Sequence, residues 1–422
     1  MKRRIAGFVL LALVLSLNAS AGAANVTIKI SHWLGGEAHG TDTGIGLLIE
    51  TVRQEVAKYG IDVEVTISGG DYNSQVITQT LGGVGPDVIF ALPYSNMAIQ
   101  EFLIDLTPYL SRDPELNFDS YNPVVWDIFT YDGATKLLPV GVAPYLLFYN
   151  ADHFRESGMP FPDETWSWHE EIPDALRRMR RTDGQGNVTR YGLLLEDRLW
   201  TLYFSEGGDV LSEDGSRSLL AEAVSAGQFL ETVYQWRQDN LIPAPANHRP
   251  TFASGLGSMH GVMGTFAFPF YVEQATQFDW SFTLPPLGSA GRSIDENVNG
   301  WGISSFSPHP DEAWIVLKAL AQVSGALTMN ALGHFSPIKG KIDADTIEYL
   351  QSAMGLTPAE IQTALDAINY VRPRFRHQEA ADITRIVEAA LRSIAWQGRP
   401  SGPALESAAE QIDAILAGGG TG

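Results

Sequence analysis

The sequence predicts an α/β fold divided into two domains. Three observations lead there. Segments with one-by-one apolar alternation take turns with segments whose apolar residues recur at helical spacing. A leader of 24 residues leaves about 398, too many for one compact core. The stretch Pro358 to Leu416 is helical in pattern almost throughout.

Element by element, Val26-Thr-Ile-Lys-Ile30 alternates as a strand with one wetter face should. Ile45, Leu48, Ile49, Val52, Val56 and Tyr59 fall at helical spacing, and Gly60 stops that helix. Ile61 to Ile67 alternates strictly again, so the two strands form a parallel pair with a right-handed crossover. A helix over Asn73 to Leu81 leads through Gly82-Gly-Val-Gly-Pro86 into the apolar run Asp87 to Leu92, a buried central strand. Two apolar strands then run through Pro139 and Pro144, followed by a short helix. Ser167-x-x-Glu170 is a capping box for the next helix. Thr182 to Arg190 is a turn; its Asp183, Gln185 and Asn187 do not form a calcium loop, because Val188 and Leu194 stand where glycine and glutamate are needed. Leu219 to Asn240 predicts a long helix, Gly261 to Phe266 a strand, and Phe282 to Gly288 a return crossing between domains. Pro310 opens a helix through Gln322, and the Gly-rich tail from Gly418 should fray.

Lys2, Arg3 and Arg4, the apolar run Ile5 to Leu17, and Ala21-Gly22-Ala23 form an export signal, with cleavage expected near Ala23 or Ala24. The run is too short to anchor in a bilayer. Cysteine is absent, which excludes disulfides, thiol catalysis and a lipid anchor on cysteine. The expected location is therefore the periplasm, as a soluble monomer. The formal charge is −21, and removing the three basic residues of the leader gives −24. Such acidity argues against nucleic acid and anionic membranes as partners.

The stretch Lys136 to Gly158 with Glu164-Thr-Trp-Ser-Trp-His-Glu170 resembles the hinge passage of the family 1 extracellular solute-binding proteins of ABC importers, the maltose-binding class. Gly85-Pro-Asp-Val-Ile-Phe90, Leu103 to Pro108, Gly207-Gly208, Ala267-Phe-Pro269, Asn299 to Ser304 and Arg372-Pro-Arg-Phe375 are similar to further segments of that family, in the same order. The resemblance implies a type II-like periplasmic-binding-protein fold, with a ligand cleft between two lobes joined by hinge crossings. It places residues 25–140 and 287–330 in one lobe, and 141–286 and 331–422 in the other. It implies a carbohydrate ligand, the transmembrane subunits of an ABC permease as partner, no catalysis and no cofactor.

A sugar offers hydroxyl rims and apolar C–H faces, so its site needs flat aromatics together with acids, amides or arginines. By the resemblance, Trp33, Glu37 and His39 follow the first strand at the edge where ligands collect. Tyr94 and Ser95 follow the buried third strand, without the Asp-Arg pair of the maltose-binding member, so maltodextrin is not implied. Asp197 and Trp200 match an acid-plus-aromatic segment, Phe266 a sugar-stacking corner, and Asn299 and Trp301 a Gly-flanked stretch that reaches a cleft. Arg374 is a candidate that equally fits a structural ion pair. No G-x-S-x-G, P-loop, G-x-G-x-x-G or H-E-x-x-H motif occurs, and the nine histidines have no metal spacing. Two rival readings remain open: a binding protein for glycerol 3-phosphate or another polyol, which needs clustered cations, and a secreted glycoside hydrolase or lyase, which needs a carboxylate pair and would cleave its ligand.

Overall fold

A computed structural model describes residues 26–32, 44–67, 71–93, 102–116, 119, 121–131, 134–323, 325–338, 342–377 and 379–418. The chain forms two compact α/β units. The first comprises residues 26–143 and 298–355, the second 144–297 and 356–418. The chain therefore passes from one unit to the other three times, after Ala143, Asn297 and Gly355.

The first unit opens with β1 (Val26–His32), α1 (Gly44–Ala57), β2 (Ile61–Ile67), α2 (Tyr72–Leu81) and β3 (Val88–Ala91). Gly60, at φ 73°, turns α1 into β2. Asp71 caps α2 by accepting from the Ser74 N–H. Gly85 packs on the Thr80 backbone so closely that a Cβ would stand 2.6 Å away, which lets α2 run straight into β3. Asp87 locks that entry by exchanging hydrogen bonds with the Lys29 backbone at 2.8 and 2.9 Å. After α3 (Thr107–Leu110) and α4 (Pro123–Phe129), the small hairpin β4 (Thr130–Tyr131) and β5 (Ala134–Thr135) leads into β6 (Leu138–Val142).

The second unit begins with β7 (Tyr145–Asn150), α5 (Ala151–Ser157) and α6 (Glu171–Met179). Ser167 Oγ accepts from the Glu170 N–H at 3.0 Å, but α6 begins at Glu171 and its N-cap, Glu170, makes no side-chain cap, so the expected capping box does not form there. The Ser167 N–H donates to the Glu171 carboxylate at 2.9 Å, one residue beyond the expected glutamate. β8 (Arg181–Thr182) and β9 (Val188–Leu195) follow, joined by a turn in which Asp183 accepts from the backbones of Gln185 and Asn187. Next come α7 (Leu199–Ser205), α8 (Val224–Gln238), α9 (Arg249–Ala253), β10 (Gly257–Gly264), α10 (Phe268–Gln274), β11 (Trp280–Thr283) and β12 (Ile294–Asp295). The long helix expected from Leu219 is a 3-10 turn over Leu220–Glu222 followed by α8, because Ala223 (φ −80°, ψ 51°) leaves the helical region.

The chain then returns to the first unit with β13 (Val298–Ile303), α11 (Pro310–Gln322), α12 (Gly325–Leu332) and α13 (Ala344–Ser352). It finishes in the second unit with α14 (Pro358–Ala367), β14 (Val371–Arg372), α15 (Ala380–Ala395) and α16 (Ser401–Gly418).

The sheet of the first unit has the order β2-β1-β3-β13-β6. β1, β2 and β3 are parallel, and β13 is antiparallel to both β3 and β6. Ile28, Ile30, Val52, Val56, Phe90, Leu138, Trp301 and Leu317 build its core. The sheet of the second unit has the order β11-β7-β10-β9-β8, with β7 antiparallel to β10 and β11. Phe148 lies at its centre, 5.0 to 6.0 Å from the rings of Phe268, Tyr271, Trp280 and Phe282.

Two boundaries differ from those expected. Residues 287–297 belong to the second unit: Leu287 pairs with Trp166 and Trp168, and Asp295 donates its N–H to Thr201. The return crossing thus lies at 297/298 and not at Phe282 to Gly288. Residues 331–355 belong to the first unit, where Phe335 and Val142 exchange backbone hydrogen bonds at 2.9 Å and Tyr349 on α13 donates to Asn330 on α12.

Candidate functional site

In an open α/β sheet, ligands collect beyond the carboxyl ends of the parallel strands. In the second unit that edge comprises the ends of β9 and β10 and the start of β7, where Glu196, Arg198, Phe266 and Tyr145 come together. Glu196 follows β9 directly. One of its oxygens accepts the His248 N–H at 3.1 Å and lies 3.5 Å from His260 Nε2; the other lies 3.4 Å from Arg198 Nε. Burial by itself would raise the Glu196 pKa, but His260 and Arg198 outweigh it, so the carboxyl titrates below its ordinary value. Burial lowers the pKa of His260, against the opposing pull of Glu196. His260 Nδ1 meets the Tyr271 hydroxyl at 2.6 Å.

The Arg198 guanidinium donates to the Tyr145 hydroxyl at 3.0 Å and stands 5.2 Å from the ring centres of both Tyr145 and Phe266. Arg249, the first residue of α9, stands 6.0 Å from the Phe266 ring and 5.7 Å from Phe270. Phe266 and Phe270 are half-buried. The Phe266 ring folds back over Gly264, where a Cβ would lie 2.3 Å from the ring, and the Asn297 amide borders the same glycine. Just upstream, Val262 takes φ 56° inside a register shift between His260 and Met263. A β-branched residue in the left-handed region costs about 1–3 kcal/mol, and such strain gathers at functional edges.

The expected residues fall into three groups. Trp33, Glu37, His39, Tyr94 and Ser95 lie outside the described residues. Asp197, Trp200 and Arg374 are brought together, in a network of ion pairs. Arg374 holds both Asp295 oxygens at 2.8 Å and Glu388 at 3.2 Å, and stacks 4.3 Å from the Trp200 ring. Trp200 donates its indole N–H to Glu388, and Asp197 binds Arg392 and the Trp396 indole N–H. Trp200 is 3% exposed and Arg374 7%.

Asn299 and Trp301 stand on β13 in the first unit, both buried. Asn299 donates to His334 Nε2 at 2.5 Å, while His334 Nδ1–H points to the Leu332 carbonyl. Trp301 meets Phe90 edge-on at 5.2 Å and His32 at 6.5 Å. It borders a void of about 10 Å³ lined by Ile45, Leu48 and Val140, no larger than a single water. Of the described candidates, Asp197 is exposed just beyond β9 but held by Arg392 and the Trp396 indole N–H, and Phe266 is half-buried at the same strand-end edge beside Arg198 and Arg249. Sequence reasoning missed Arg249 and Tyr145; the Arg249-Pro250 helix start was a visible signal for the first, and nothing local marked the second.

Over residues 46–325 the chain matches the family model described as bacterial extracellular solute-binding protein. A search of the curated proteins by sequence finds no match. Solved structures match along almost the whole chain. The ABC substrate-binding protein Lmo0181 from Listeria monocytogenes, in complex with cycloalternan, has a TM-score of 0.77 at 18% identity, covering 93% of this chain and 99% of that one. Maltose-bound MalE3 of T. maritima has a TM-score of 0.75 at 18% identity, covering 92% and 100%. UgpB from Mycobacterium tuberculosis in complex with glycerophosphocholine has a TM-score of 0.75 at 16% identity, covering 92% and 98%. At these identities the likeness establishes the fold.

Proposed function

Because the chain belongs to the bacterial extracellular solute-binding protein family, we propose that it captures a mono- or oligosaccharide in the periplasm and delivers it to an ABC-type permease. Residues 1–24 serve as the export signal. The observation that supports a carbohydrate is the strand-end edge of the second unit, where the half-exposed Phe266 ring stands beside the guanidiniums of Arg198 and Arg249. An aromatic face takes the C–H side of a sugar, and charged donors and acceptors take its hydroxyl rim. Ligand binding shifts the protein toward its transport-competent state only to the extent that this state binds more tightly.

The test is a thermal-shift screen of ligand-free mature protein with mono-, di- and trisaccharides, amino acids and glycerol 3-phosphate. A ligand at about 100 times its Kd stabilises by about 2.7 kcal/mol, a shift of a few degrees. A shift with a saccharide that is recovered intact is the expected result. A shift with glycerol 3-phosphate alone, or a cleaved sugar, overturns the reading.

A further inference from the structure

We infer that the saccharide carries an oxyanion, a carboxylate or a phosphate, and that Arg249 receives it beside Phe266 with Arg198 on the same ring. This rests on the carbohydrate reading above and narrows it. Three features lead to it.

The first is position. Glu196 binds the His248 N–H, which ties the start of α9 to the end of β9 and holds Arg249 against the strand-end edge. Arg249 reaches Phe266 at 6.0 Å, and Arg198 reaches the same ring at 5.2 Å. Two guanidiniums thus flank the half-exposed ring on which a ligand is proposed to rest.

The second is charge pairing. Among the described residues no carboxylate forms an ion pair with Arg249, whose Nε donates only weakly to the Asn247 amide at 3.3 Å. Glu196, which follows β9 at this edge, is occupied by the His248 N–H, His260 and Arg198. The Arg249 charge is therefore not consumed by a structural ion pair, in contrast to Arg374, which Asp295 and Glu388 neutralise.

The third is the background. The chain has 49 acidic and 28 basic residues. Its long-range field repels anions, so an anionic ligand needs local guanidiniums, whereas a neutral sugar is indifferent to the field. A guanidinium presents paired N–H donors that match a carboxylate or phosphate, and such charge-assisted bonds contribute about ten- to a hundredfold in affinity.

The experiment is calorimetric titration of the mature protein with a neutral oligosaccharide, the corresponding uronate, the corresponding sugar phosphate, and glycerol 3-phosphate, each at low and high salt. The readout is the ratio of anionic to neutral affinity in wild type, Arg249→Gln, Arg249→Lys and, as a control on the exposed face of α15, Arg385→Gln. Thermal melts confirm that each variant is folded. The expected result is an affinity at least about tenfold higher for the uronate or the phosphate than for the neutral parent. That ratio should fall with salt, collapse in Arg249→Gln, partly return in Arg249→Lys and persist in Arg385→Gln. Whichever of the uronate and the phosphate is preferred identifies the oxyanion. A neutral saccharide bound as tightly as its anionic forms, or a ratio that survives Arg249→Gln, overturns the inference and leaves the carbohydrate reading intact. Binding of glycerol 3-phosphate without any saccharide, or of none of the four, overturns both.

Discussion

Replacing Trp301 by alanine separates a core tryptophan from a ligand platform. The indole lies on β13, between β3 and the edge strand β6, with Phe90 and Leu138 as its register partners on those two strands. It is 2% exposed and belongs to the same apolar cluster as Ile303 and Trp314. Burying an aromatic of this size removes about 150–250 Å² from water, and truncating one to alanine in a core costs about 3–5 kcal/mol. Around the indole the core is close-packed, with only a water-sized void beside it, so removing it leaves a cavity. For a folding unit of roughly 200 residues, this loss lowers Tm by about 6–20 °C. Affinity, measured well below the new Tm, should change less than about threefold, since no ligand-facing atom is removed. Phe266→Ala should do the opposite, lowering affinity at least about tenfold with a Tm change of about 2 °C or less, because its ring is half-exposed. Differential scanning calorimetry and titration of both variants supply the comparison. A Trp301→Ala protein that melts with wild type but no longer binds would refute the core assignment.

Three further outcomes are expected. Gly264→Ala pushes its new methyl against the Phe266 ring, so ligand affinity should drop about tenfold, while the melt shifts little because the ring can swing outward; titration checks the affinity. Arg374→Met leaves the buried Asp295 carboxylate without its partner, while Glu388 keeps Arg392 and the Trp200 indole N–H, and should cost about 3–5 kcal/mol in urea unfolding. Burial holds His334 to a pKa of about 4, below its ordinary 6.5, while the unfolded chain takes up the proton near 6.5. Stability is therefore full above neutrality and falls between pH 6.5 and 4 by about 1.4 kcal/mol per unit. His334→Gln should flatten that slope in urea melts. It should not abolish it, because burial also holds His153 near 4.

The elements of the first unit were legible because their signals are local. Alternation in Val26 to Ile30 and Ile61 to Ile67, the 3.6 spacing of Ile45 to Val56, and Gly60 suffice to write β1, α1 and β2. The helix starting at Pro310 was readable for the same reason. The return crossing was not. Pro285-Pro286 looks like a hinge, but residues 287–297 are kept in the second unit by Trp166, Thr201 and Glu206, all about a hundred residues away in the chain. Depth was equally invisible. A tryptophan after a charged turn, as at Trp200, or between glycines, as at Trp301, reads the same whether it faces solvent or core; only Arg374, Glu388 and Phe90 decide. The edge at Phe266 was found through a family likeness, whereas Arg249 joins it only because Glu196 draws in the neighbouring backbone.

The place of β13 bears on when this molecule can come into being. The strand that joins β3 to β6 starts at Val298, more than two thirds of the way along the chain. A polypeptide that stops before it has β3 and β6 each with an open, apolar edge, which invites pairing with other chains. The second unit waits longer, since α15 and α16 close it from residues 380 to 418. Neither half can ripen while the ribosome is still at work on the middle of the message. A chain cut short before Val298 thus exposes strand edges that can pair with other chains, and the second unit stays incomplete until the last residues are made.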